Sequence, residues 1–130
     1  MKFPAVHINL VAAWIGILLG FASGFLLGTS FHQEDWLGGY GSFRRRLYRL
    51  AHISCFGLGA VNLLFYLTAQ KLPAGVLLGW ASASFLLGAI TMPLCCLIMA
   101  HMPKARLLFA IPVFSLLTGG VLTLLEVLKV

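Results

Sequence analysis

Between Ser42 and Tyr66 the chain reads SFRRRLYRLAHISCFGLGAVNLLFY, placing Arg44, Arg45, Arg46 and Arg49 directly ahead of an apolar run long enough to cross a bilayer. Clustered arginines are held on the side of the membrane where a protein is made, so this boundary predicts the direction of every other segment. Within the run, His52, Cys55, Gly59, Asn62 and Tyr66 recur at spacings of three and four, which sets them on one helical face. In hydrocarbon such a polar stripe must turn toward protein rather than lipid.

Composition extends this reading to the whole chain. Of the 130 residues 61% are hydrophobic and 9% charged, with a mean hydropathy of +1.01, against about 25% charged in an ordinary soluble domain. So few charges cannot cover an apolar core, and the chain reads as an integral membrane protein. Apolar runs at about 4–29, 47–69, 74–101 and 107–128 give the fold class: all-α and polytopic, a single domain of four transmembrane helices in an up-down bundle. Once these are set aside, no segment is long enough to hold a soluble core. The first run, near 39 Å at about 1.5 Å per residue, is also too long for the apolar core of a cleaved signal.

The net charge of +6 would suggest nucleic acid in a soluble protein. Here six of the nine Lys and Arg residues fall in two loops on one side, at 30–46 with Arg49 just beyond and at 101–106, while Lys2, Lys71 and Lys129 fall on the other. That imbalance predicts cytoplasmic loops, both termini on the opposite side, anionic headgroups against Arg44, Arg45 and Arg46, and no nucleic acid. Glu34 and Asp35 are expected to pair with the arginines, and Trp36 and Tyr40 to lie at headgroup level.

The first span carries Ala12, Gly16, Gly20, Gly24 and Gly28 at an unbroken interval of four. Residues this small let another backbone approach closely, which predicts packing of Gly16, Gly20, Gly24 and Gly28 against the Asn62 face of the second span, with Gly75, Gly79 and Ala83 as a second small face in the third. His7 and Asn9 are expected at the interface in headgroup and water, the alternative being a buried set with Asn62 and Tyr66. Pro73 is expected in the first turn of the third helix, and Pro93 to kink that helix by freeing the carbonyl of Ala89. Glu126 lies close enough to Lys129 to stay charged. Cys55, Cys95 and Cys96 all fall in apolar runs and read as small buried hydrophobes rather than a disulfide or CxxC redox set.

His32, His52 and His101 fall in one layer at the arginine-bearing end. Two facing histidines can supply both axial ligands of haem b, and interfacial arginine can pair with its propionates, so His52 with His101 or His32, together with Arg49, form the candidate cofactor site. A quinone pocket on His52 is chemically similar, and a soft metal on His52 and His101 with Met92, Met99, Met102 or the cysteines has less support from spacing. No HExxH, GxSxG, phosphate loop or calcium loop occurs, and no carboxylate sits mid-span as a coupled transporter would need. Two functions follow as expectations. One is a subunit or scaffold, without enzyme activity of its own, in a membrane complex or an assembly of copies. The other is a haem b protein exchanging electrons with quinone.

Overall fold

The computed structural model describes residues 4–130, with side chains from Val6 onward, so Lys2 lies outside the described residues. Four helices follow in order: α1 (Pro4–Thr29), α2 (Phe43–Ala69), α3 (Val76–His101) and α4 (Ala110–Val127). All four spans, the last including the turn that precedes α4, are long and apolar enough to cross a membrane. The up-down bundle expected from the hydropathy is therefore the fold. Within it α1, α2 and α3 pack on one another, while α4 packs chiefly against α3.

The element ends obey local chemistry. The second helix begins four residues earlier than its apolar run because Ser42 caps it, its hydroxyl accepting from the Arg45 N–H at 3.1 Å. Pro73 stands ahead of α3 rather than in its first turn; Gly75 provides the extended residue before the helix. Pro93 sits inside α3, which continues through to His101. Between α3 and α4 the chain forms a 3₁₀ turn at Pro103–Phe109, so the last α-helix starts three residues later than its apolar pattern.

Polar side chains fasten the first three helices to each other. Asn9, Asn62 and Ser82 come one from each of α1, α2 and α3, and all are buried. Asn9 Nδ2 donates to Asn62 Oδ1 at 2.7 Å, the Ser82 hydroxyl donates to Asn9 Oδ1, and Asn62 Nδ2 donates to the Leu58 carbonyl at 2.8 Å. Each carboxamide atom thus has a partner where water is absent. The headgroup position expected for Asn9 is replaced by the buried alternative, whereas His7 is exposed and meets Tyr66 edge-on at 6.3 Å. One apolar cluster, with Val6, Phe65, Leu78 and Phe85, lies at that end, and another, with Leu47, Ala51, Cys96 and Ala100, at the arginine-bearing end.

Along α1 the glycines meet first the backbone of α2, then its side chains, then nothing. A Cβ at Gly16 would stand 2.9 Å from the Cys55 carbonyl oxygen and 3.2 Å from Gly59 Cα, a backbone-to-backbone approach. At Gly20 the neighbour is the Phe56 ring, and at Gly24 the His52 ring at 2.8 Å. Gly28 meets nothing within 4 Å, so its expected packing role is not realised. The two helices therefore splay toward the arginine-bearing end. The small face expected of α3 is also corrected: Gly75 and Gly79 meet nothing within 4 Å, and Ala83 is exposed. Its neighbours instead use Ala81, Ser82 and Phe85, with Gly88 admitting Leu116 of α4.

Candidate functional site: a cleft at the arginine-bearing end

The splay leaves a cleft of about 270 Å³ between the helices. Ser23, Leu26 and Leu27 of α1 form one wall, and Tyr48, Ala51, His52 and Cys55 of α2 the second. Pro93 and Leu97 of α3 close the third side, and Trp36 of the first loop reaches over it. Its polar groups are few and lie mostly on successive turns of α2, an apolar chamber with a small number of orienting contacts.

His52 is half-buried and held from two sides. Its Nδ1 lies 2.9 Å from the Ser23 hydroxyl, and its ring meets Phe56 edge-on at 5.5 Å. The absence of a side chain at Gly24 leaves room for the ring. Nε2 has no hydrogen-bond partner among the described residues. One turn earlier, Tyr48 bonds through its hydroxyl to Nε2 of the exposed His101 at 2.8 Å, with the rings edge-to-face at 5.9 Å.

The loop above the cleft is built around Arg45. This side chain is 2% exposed, so it cannot serve anionic headgroups as expected; Arg44 and Arg46 remain exposed. Its guanidinium carbon lies 5.8 Å from the Phe31 ring centre, 5.4 Å from Trp36 and 5.2 Å from Tyr40. Its terminal nitrogens donate to the Phe31 and Gln33 carbonyls, each at 3.4 Å. Three ring faces and two carbonyls thus take the place of the expected pairing with Glu34 or Asp35. The ion pair seen among the described residues is Glu126 with Lys129, as the sequence suggested. A 3₁₀ turn at Trp36–Gly38 requires left-handed backbone at Leu37 (φ 56°), followed by Gly38 and Gly39, and it aims Trp36 back at both Arg45 and Tyr48.

Of the candidate histidines, the structure places His52 in the cleft and His101 beside it through Tyr48, while His32 is exposed in the turn after α1. Arg49 lies 4.3 Å over the Tyr40 ring and is not part of the cleft wall. Among the described residues no three His, Cys, Asp or Glu side chains gather as a metal-binding group. Sequence reasoning overlooked Ser23 and Tyr48, and it read Trp36 as a headgroup-level residue rather than as part of a cleft. Tyr48 stands four residues before His52, the spacing that would have joined it to the polar stripe. No protein-family model matches the chain, and no curated protein and no solved structure matches it.

Proposed function

We propose that the protein is a membrane subunit, without enzyme activity of its own, that holds a lipid-soluble ring compound of the quinone–quinol type in the cleft at His52. The observation that carries this reading is Nε2 of His52, without a hydrogen-bond partner among the described residues, on a side chain that lines an apolar cleft. A lone polar atom in an apolar chamber orients a ligand that arrives through the bilayer. About 270 Å³ lies just below the range of roughly 300–1,000 Å³ typical of drug-sized ligands, which suits a single substituted ring. In this reading the arginine-bearing loops face the cytoplasm, and the lipid-facing surface is available to other subunits or to further copies of the chain.

The same nitrogen supports a second reading, haem b bound through His52. His101 would then have to leave Tyr48 to act as the opposite ligand, and the cleft would have to widen for a macrocycle. Purified protein in lipid nanodiscs separates the two. The quinol-type reading expects no Soret absorption, and quenching of tryptophan fluorescence by a long-chain hydroxyquinoline N-oxide. That binding should weaken about tenfold or more in His52→Leu, the effect of losing one oriented hydrogen bond. A Soret band lost in His52→Leu would establish the haem reading, and quencher affinity untouched by the substitution would sink the first one.

A further inference from the structure

We infer that the cleft selects the hydroxyl-bearing, reduced form of its ring compound over the oxidised carbonyl form. The inference rests on the ligand-binding reading above and concerns the proton on His52.

A neutral imidazole has one N–H donor and one bare acceptor, and the partners of the ring determine which is which. Ser23 Oγ lies 2.9 Å from His52 Nδ1 and 3.1 Å from the carbonyl of Gly20, one turn back on the same helix. The hydroxyl has a single proton. If that proton goes to Gly20, Nδ1 must carry its own and donate it to Ser23, and two hydrogen bonds form. If instead the hydroxyl donates to Nδ1, the Gly20 contact is lost and only one forms. Inside a membrane span no water replaces the missing bond, so the two-bond arrangement wins. Nε2 is then the bare acceptor on a side chain that lines the cleft.

An acceptor in that position rewards an incoming O–H and opposes an incoming C=O. A quinol or phenol donates to Nε2 directly. A quinone meets it lone pair to lone pair, unless His52 changes tautomer and Ser23 releases Gly20. Tyr48 lines the same wall one turn away, and its hydroxyl is engaged by His101. The apolar remainder of the cleft, with Leu26, Leu27 and Leu97, distinguishes neither form.

The test compares a short-tailed benzoquinol with its own quinone under anaerobic conditions, titrated against wild type, Ser23→Ala and His52→Leu in nanodiscs. The readout is tryptophan quenching, with Trp36→Phe as the control for quenching that arises from Trp14 and Trp80. Wild type is expected to bind the quinol about tenfold more tightly than the quinone. Ser23→Ala, which leaves either nitrogen free to carry the proton, should retain binding while narrowing that ratio toward one. Quinone binding equal to or tighter than quinol binding in wild type overturns the inference, as does a ratio unchanged in Ser23→Ala. If neither compound binds, or if His52→Leu binds both as wild type does, the ligand-binding reading itself fails.

Discussion

A carboxamide inside a bilayer has no water to fall back on, and Asn62 meets that demand with both its oxygen and its nitrogen, toward Asn9 and Leu58. Replacing it with leucine removes the nearer acceptor of Asn9 Nδ2, which keeps only the Ser82 carbonyl at 3.4 Å. Interhelical hydrogen bonds in membranes average about 0.6 kcal/mol and reach about 1.7. Asn62→Leu should therefore cost about 1 kcal/mol, read as a lower midpoint of reversible unfolding in mixed micelles. Asn62→Asp keeps an acceptor for Asn9 but places a carboxyl in the span, so it should cost at least as much; a wild-type midpoint in both would show that the triad holds nothing together. Asn62 was legible because its spacing joined a polar face. Asn9 was not, because nearness to the end of an apolar run gives depth but not the rotation of the helix. Ser82 was hidden among small residues whose spacing speaks equally for close packing. Arg45 was hidden by its neighbours: three arginines in a row look alike, and only the helix register turns one of them under the rings of Phe31, Trp36 and Tyr40.

At the scale of helices the glycine interval in α1 identifies a face but not how far the contact along it extends. The approach is backbone to backbone at Gly16, ring to backbone at Gly20 and Gly24, and open at Gly28. A methyl group at Gly16 would press on the Cys55 carbonyl and Gly59, neither of which can rotate away, and overpacking of this kind costs about 1–3 kcal/mol. Gly28→Ala adds a methyl where there is space, so its unfolding midpoint should equal or exceed that of wild type. Equal losses in the two variants would mean that the helices do not splay. The splay is also what opens the cleft, since Ser23, Leu26 and Leu27 line it beyond the closest approach. Close packing at one end and an apolar cleft at the other are thus one geometric consequence of where small residues stop having a partner. Periodicity in one sequence shows the small residues of both α1 and α3, but it contains no information about the partner. For that reason Gly79 and Ala83 look equivalent to Gly16 and Gly20, yet face outward.

For the whole molecule the decisive question is direction. The exposed Arg44 and Arg46, with Lys104 and Arg106, stand at the same end as the cleft, and Lys71 and Lys129 stand at the other. Burial of Arg45 in the folded state does not weaken its effect on orientation, because insertion reads the charge of a nascent loop before aromatic side chains can enclose it. Two exposed glycines with open surroundings provide reporters at opposite ends, Gly41 ahead of α2 and Gly75 ahead of α3. With Cys55, Cys95 and Cys96 replaced by alanine, Gly75→Cys should react with an impermeant maleimide in intact cells, and Gly41→Cys only after permeabilisation. The reverse pattern would place the cleft at the outer leaflet, where a ring compound would meet the other aqueous phase. Labelling of both in intact cells would mean that the chain inserts in two directions, as happens when the charge difference between sides is small. Six cations against three, crowded within a few residues of the spans, make the single orientation the expected result. In that orientation the proposed ligand entry at His52 and the basic surface around Tyr48 and His101 would belong to the cytoplasmic half of the bilayer.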